Sequence, residues 1–329
     1  MSAPPPQPET IARLSEAVFP SFAMLAGMQL DVFSPLEDGP LDSAQIATAI
    51  QVESAKLGPL LYALVAAGLL QVEDGLFSNT SEAAHFLVRG RPDFLGDCHY
   101  LWADIWHAVL QTGKTIRSGQ AQALHDFNAM PAGELEAFLG GLHPKALAAG
   151  KQFADNCDLS SCHTLLDVGG GSGGFAIGLT QRCPHLRVTV ADLPRVTPIA
   201  QRFIDRAKAN DKVQALTLDL ARAPASPPFD AAVLKNFIQI LGPAQARDAL
   251  GNVWESLKPN APIYVMGDIL DDSRLSPEDA VLFNLVFINV YEEGRAHTQN
   301  EYSEWLEQAG FEQIEFLSPE MIRAQKPDL

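Results

Sequence analysis

Cysteines, basic residues and long apolar runs are all scarce in this chain, and each shortage excludes a class of protein. Four cysteines in 329 residues (Cys98, Cys157, Cys162, Cys183), none in a Cys-x-x-Cys pair, make no disulfide framework. Reduced thiols and a cytoplasmic setting are the expectation. Lys and Arg number 23 against 40 Asp and Glu, a formal net charge of −17. Nucleic acid and anionic membrane surfaces need clustered cations, so neither is an expected partner. No apolar run approaches the roughly 18 residues of a membrane span. The eight histidines are scattered without a His-x-x-His pair. The lone Glu82-x-x-His85 reads as a surface or core pair, and no metal site is expected. The opening Met-Ser-Ala-Pro-Pro-Pro-Gln-Pro lacks the basic end and apolar core of a signal peptide and reads as a disordered lead over 1–8.

What is present centres on residues 165–174, Leu-Leu-Asp-Val-Gly-Gly-Gly-Ser-Gly-Gly. An apolar stretch, Thr164 to Val168, stops at glycines, and a helix-like stretch, Phe175 to Thr180, follows. A second apolar stretch, Arg187 to Ala191, ends in Asp192, roughly 20 residues on, where a ribose-binding acid belongs. Glycine permits tight turns and close approach of a ligand, and the helix start offers unpaired N–H groups. A nucleoside-containing cofactor is implied. The spacing Gly169-x-Gly171-x-Gly173 differs from Gly-x-Gly-x-x-Gly, although Gly174 permits the longer reading. Asp167, two residues ahead, would repel a pyrophosphate but suit a cationic group. The loop therefore favours S-adenosylmethionine, with its ammonium and sulfonium, over a dinucleotide.

Asp167-Val-Gly-Gly-Gly-Ser-Gly, Asp192-Leu-Pro, Asp219-Leu, Leu234-Lys235 and Ala309-Gly-Phe311, in this order, resemble the small-molecule methyltransferases of the caffeate and hydroxyindole O-methyltransferase type. The resemblance covers nearly the whole chain. It implies that the Gly169–Gly173 loop meets the methionine part of S-adenosylmethionine. It implies that Asp192, followed by Leu193, holds the ribose, that Asp219 and Leu220 lie by the adenine, and that Lys235 stands near the cofactor. The bland alternatives are strand-end or turn aspartates and a solvated lysine.

The first half reads as helical. Apolar residues recur at helical spacing from Glu9 to Leu36, with a break or kink expected at Pro20. Asp42-Ser43 should cap a helix over Ala44 to Ile50. Lys56 to Leu70 is apolar almost all round and should be buried. Two short strands should turn about Asp74-Gly75. Helix, helix, hairpin is a winged-helix pattern, but the second helix carries one lysine and no arginine, which argues against DNA reading. The resemblance implies homodimerisation instead. From Pro92 to Asn156 a mixed helical stretch carries Tyr100, Trp102, Trp106, His107, His125, Phe127 and His143. In the family it roofs the substrate site, and Tyr100, Trp102, Trp106 and His143 are the substrate candidates.

The second half alternates apolar strands with helices. Strands are expected at 164–168, 187–191, 213–218, 231–235, 263–268 and 313–316, and helices include 197–210, 243–257 and 299–310. That order predicts a doubly wound, mostly parallel α/β sheet of Rossmann-like type. The expected organisation is the lead 1–8, a winged-helix-like dimerisation domain 9–91, a linking stretch 92–160 and the cofactor-binding domain 161–329. Ligands in such sheets sit beyond the carboxyl ends of the strands, where Asp167, Asp192, Asp219, Lys235 and Asp268 all fall.

One feature departs from the family pattern. O-methylating members usually carry a histidine four residues past the lysine, followed by an aspartate. Here Gln239 and Ile240 stand there. Of the two acids that steer that histidine, one aligns with Asp268 and the other with Ala296. An amide accepts no proton near neutral pH, and general-base help is worth roughly 10²–10⁴-fold. A thioether sulfur has no proton to lose. Aromatic faces of Phe287 and Tyr291, on an expected helix 282–291, would favour the resulting cation. Three readings follow. The first is S-methylation of a thioether acid such as 4-methylthio-2-hydroxybutyrate, as in the bacterial branch that makes dimethylsulfoniopropionate, with Arg295, His297 or His143 on the carboxylate. The second is O- or N-methylation of an acidic or aromatic metabolite, with another base such as His143 or His297, or with a nucleophile already deprotonated. The third is a relative that binds S-adenosylmethionine without transferring methyl.

Overall fold

The structure, a computed structural model, describes residues 6–328. Met1 to Pro5 of the expected lead lie outside the described residues. The chain divides between Ala103 and Asp104 into two compact units.

The first unit begins with α1 (Glu9–Glu16) and α2 (Val18–Gln29). The break falls at Ala17, three residues before the expected Pro20. Pro20 sits in the first turn of α2, where no intrahelical carbonyl awaits its missing N–H. A capping box opens α3 (Ser43–Ala49). Asp42 accepts the Gln45 N–H at 2.8 Å, and the Gln45 side chain accepts the Asp42 N–H at 2.9 Å. α4 (Leu57–Ala66) is shorter than expected and is not buried all round. Leu57, Leu61 and Leu64, at helical spacing, face the core, while Tyr62 is 58% exposed. β1 (Leu70–Glu73) and β2 (Leu76–Asn79) pair about Asp74-Gly75. Both turn residues take positive φ, 49° and 81°, as a primed hairpin turn requires. α5 (Ser81–Phe86) follows, and Phe33, Ile46, Leu61, Leu70 and Phe77 fill the core. Ile11, Leu14 and Phe19 remain exposed on α1 and α2.

α6 (His99–Val109) spans the division. In the second unit, α7 (Thr112–Ser118) and the long α8 (Ala132–Asn156) precede a seven-stranded sheet. Its strands are β3 (Thr164–Val168), β4 (Arg187–Asp192), β5 (Val213–Thr217), β6 (Ala231–Lys235), β7 (Pro262–Met266), and, after the short β8 (Ile269–Leu270) and β9 (His297–Thr298), β10 (Glu312–Ser318) and β11 (Met321–Gln325). The order is β10-β11-β7-β6-β3-β4-β5. The five strands from β7 to β5 are parallel, and β11 and β10 add an antiparallel edge. Central strands are buried on both faces, so they read as continuous apolar runs such as Ala231 to Leu234. The helices are α9 (Gly174–Arg182), α10 (Thr197–Arg206), α11 (Pro243–Glu255), α12 (Glu278–Val290) and α13 (Gln299–Gln308). α9 lies against α8 at backbone distance. A Cβ on Gly178 would collide with the Leu147 carbonyl, and one on Gly150 with that of Phe175.

The expected strands match to within a few residues, and the pocket helix starts and ends slightly earlier than 282–291. The β10–β11 hairpin was legible only as its first strand, because β10 is mostly exposed and Arg323 and Gln325 interrupt β11. The two-residue pair β8–β9 carries no pattern that a sequence displays.

Candidate active site

The carboxyl edge of the parallel strands gathers the charged residues singled out in the sequence. The chain passes from β3 to β4 and β5 on one side, then returns to place β6 on the other. The β3–β6 boundary is thus a switch point where such sheets open a crevice. Asp167 is the penultimate residue of β3, Asp192 ends β4 and Lys235 ends β6. Asp219 and Asp268 lie two residues past β5 and β7.

The loop after β3 takes φ of 65°, 56° and 72° at Gly169, Gly171 and Gly173, values that side chains resist. It folds over Asp167, whose carboxylate would touch any Cβ placed on Gly170. Asp167 is 1% exposed, and neither oxygen has a hydrogen-bond partner among the described residues. Burial, followed by repulsion from Asp192, pushes its pKa up to about 7, with Lys235 opposing. Asp192 accepts the Gly171 N–H at 2.8 Å and the Leu193 N–H at 2.7 Å. Burial outweighs both bonds and raises Asp192 to about 6. Lys235 is pushed down by burial, against the pull of Asp167, Asp268 and Glu320. Two enclosed carboxylates suit a ligand with a cationic end. Asp219 accepts the Ala221 N–H at 3.0 Å, and buried Leu220 offers its carbonyl to the Asn252 amide at 2.8 Å.

On the other side of Lys235 the chemistry is neutral. Gln239 is fully buried in a 3₁₀ turn, Ile238–Ile240. Its amide nitrogen donates to Asn236 Oδ1 at 3.2 Å, and its oxygen has no partner among the described residues. A Cβ on Gly267 would strike this amide, which puts Gln239 beside the end of β7. Asp268, next in sequence, is raised to about 6 by burial and then by Glu320 and Asp279. Ala296 is fully buried, and its N–H donates to Asn284 Oδ1 at 2.8 Å.

The remaining candidates separate. Phe287 and Tyr291 stack at 6.3 Å, and burial raises the Tyr291 phenol. His143 is tied to the glycine loop, its Nδ1 2.9 Å from Ser172 Oγ and its ring stacked on Phe203 at 4.1 Å. His297 is fully buried between Tyr302 and Trp305, with ring centroids 5.9 and 4.7 Å away. Burial lowers both histidines to about 4. Arg295 pairs with Glu301 at 3.0 Å. Trp106 is half-buried on α6, whereas Tyr100 and Trp102 fall in the first unit. There Tyr100 is 52% exposed and Trp102 packs on the core.

One pair escaped the sequence reading. His125 Nε2 lies 3.0 Å from Asp104 Oδ2, close but outside hydrogen-bond geometry. The two residues are on separate elements and share no spacing rule that would join them.

The profile of the O-methyltransferase domain family matches residues 102–312, nearly two thirds of the sequence. The chain belongs to the O-methyltransferase family. It is a methyltransferase, and residues 12–89 match the family's dimerisation domain. The chain is 29% identical over 320 residues to the 3-hydroxy-5-methyl-1-naphthoate 3-O-methyltransferase of Streptomyces sahachiroi, covering 95% of this chain and 92% of that one. It is 26% identical over 321 residues to an N,N-dimethyltransferase of Streptomyces rimosus, covering 94% and 92%. The crystal structure of human N-acetylserotonin methyltransferase in complex with SAM superposes with a TM-score of 0.87 at 23% identity, over 99% of this chain and 100% of that one. The α/β methyltransferase fold with a helical N-terminal domain is thereby established. Among the described residues no helix is long and apolar enough to cross a membrane.

Proposed function

We propose that this chain is an S-adenosylmethionine-dependent methyltransferase whose acceptor attacks through an atom with no proton to lose, a thioether sulfur of a small acid such as 4-methylthio-2-hydroxybutyrate. The observation that carries the reading is Gln239, a buried amide beside the end of β7 in the position of the family's histidine. Ala296 takes the place of one steering acid, and the two candidate histidines are engaged elsewhere, His143 against Ser172 and Phe203 and His297 between Tyr302 and Trp305.

S-adenosylmethionine supplies a methyl group on a cationic sulfur. Asp167 offers two unpartnered oxygens to the ammonium of its methionine part. The Gly169–Gly173 loop accommodates the methionine backbone. Asp192 has lone pairs left for ribose hydroxyls after serving the Gly171 and Leu193 N–H groups, and Asp219 with Leu220 borders the adenine. Lys235 separates this half from the acceptor. Gln239 forms part of the wall behind the acceptor and exchanges no proton with it, and Asp268 supports that wall. Phe287 and Tyr291 present aromatic faces, each worth about 0.5–2 kcal/mol to a sulfonium. Transfer then relies on in-line alignment and exclusion of water. Ile11, Leu14 and Phe19, exposed on α1 and α2, lie on the surface through which we propose a homodimer forms.

The test is an acceptor screen with S-adenosylmethionine, following S-adenosylhomocysteine and methylated product by mass spectrometry. A thioether acid should yield a sulfonium, while catechols and naphthols should be poor acceptors. Efficient methylation of a phenol with a steep rate limb near pH 7 would end this reading, and release of no homocysteine nucleoside with any acceptor would favour a non-transferring role.

A further inference from the structure

The segment between α7 and α8 runs along the pocket helix and carries a buried histidine that the proposed reaction leaves without a task. Ala123 donates its N–H to Asn289 O at 3.0 Å, and His125 donates its own to Val290 O at 2.8 Å. Further on, Arg195 grips the same segment, with Nη1 2.5 Å from the Asn128 carbonyl and Nη2 2.6 Å from that of Met130. Arg195 lies three residues past Asp192. The segment is therefore pinned at both ends, to α12 and to the cofactor half.

The His125 side chain is 6% exposed. Rings surround it: Phe138 edge-on at 5.1 Å, Tyr291 edge-on at 6.2 Å and Phe127 at 6.2 Å. Phe138 and Phe127 share a cluster with Leu193 and Leu139, and Leu139 in turn lies 3.4 Å from the Cβ position of Gly171. His125 thus sits where the wall of the cofactor half meets the aromatic pair of the acceptor half. Its Nε2 faces the Asp104 carboxylate. In the tautomer with hydrogen on Nε2, the nitrogen that faces this carboxylate, Nδ1 carries the lone pair. Nδ1 is buried and has no partner among the described residues. An unpaired buried polar atom of this kind is costly to keep.

We infer that His125, oriented by Asp104, recognises a hydroxyl on the methyl acceptor by accepting its hydrogen bond at Nδ1. It selects the acceptor and takes no proton from the atom that receives the methyl. The inference rests on the thioether-acid reading for its choice of probe.

The experiment uses the full-length protein loaded with S-adenosylhomocysteine. Binding of 4-methylthio-2-hydroxybutyrate and of 4-methylthiobutyrate, which lacks the hydroxyl, is measured by calorimetry, with turnover on S-adenosylmethionine alongside. The native protein should prefer the hydroxy acid by about 10- to 100-fold. His125→Phe should bring that ratio to about one while still methylating the deoxy acid, and His125→Asn, which keeps an acceptor near the Nδ1 position, should restore part of it. Because each ratio compares two ligands on one protein, partial misfolding cancels. A ratio unchanged in His125→Phe, or near one in the native protein, overturns the inference even if both acids are methylated. Hydroxyl preference lost in His125→Phe with no methylation of either acid would uphold His125 and sink the proposed reaction instead. Binding of neither acid would overturn both.

Discussion

The two edges of the central sheet use the same residue type to opposite ends. At the amino edge Asp230, just before β6, is fully served. Its carboxylate accepts the N–H groups of His163 and Thr164 and the Thr164 hydroxyl at 2.8–3.0 Å, and Lys258 at 2.7 Å. Burial works against its charge, yet these bonds win and hold it well below the usual carboxylate range. At the carboxyl edge Asp167 is more deeply buried and has no bonded partner among the described residues, and its pKa rises to about 7. Satisfied charge ties β3 to the chain entering β6. Unsatisfied charge at the carboxyl edge is the feature on which the proposed donor site rests.

The largest test of that contrast is Asp167→Asn. It should weaken S-adenosylmethionine binding by about 30- to 1,000-fold, the cost of losing a buried charge-assisted contact. The same change should stabilise the unliganded protein. A carboxylate raised from 3.8 to about 7 favours the folded state fully below its unfolded pKa and loses that contribution as pH climbs through 7. The gain in melting temperature should therefore be clear at pH 8 and vanish by pH 4. A variant that binds normally, or that melts lower at pH 8, would remove the distinction between the edges.

Next comes pH itself. If the cationic donor needs Asp167 and Asp192 ionised, its KM should rise by up to about tenfold per unit as pH falls from 7 to 6 and up to about a hundredfold per unit below 6. At saturating donor, kcat on a thioether should stay level from pH 7 to 9, because no proton leaves the acceptor. At the amino edge Asp230→Asn should cost about 1–3 kcal/mol of stability at pH 7 and leave the donor KM unchanged. With its folded pKa depressed, that difference should shrink as pH falls below about 4. Smallest of all, Gln239→His should alter the thioether rate by less than about twofold. A gain of a hundredfold on a catechol would show that the site merely lacks its base.

The residues of the carboxyl edge, where we propose the cofactor binds, were legible in the sequence because the pattern that carries them is local. Asp167 and the glycines are consecutive, and Asp192, Asp219, Lys235 and Asp268 each follow an apolar run that ends at one edge of a parallel sheet. The acceptor half was legible by position at Gln239 and Ala296 but not by contact. His125 and Asp104 meet only because separate elements converge. Likewise Asn289, on the expected helix 282–291, is a buried polar hub that accepts the Thr115 hydroxyl at 2.6 Å and donates to Thr112 at 2.8 Å.

Pattern and spacing along the chain determined the parallel sheet, the glycine turn and the order of acids along the edge, since each follows from short-range periodicity and backbone sterics. Folding decided which of those acids gain partners and which are left strained, and which histidines are tied up or face an open lone pair. Charge and hydrogen bonding depend on what lies within a few ångströms in space, and distance along the chain does not encode that.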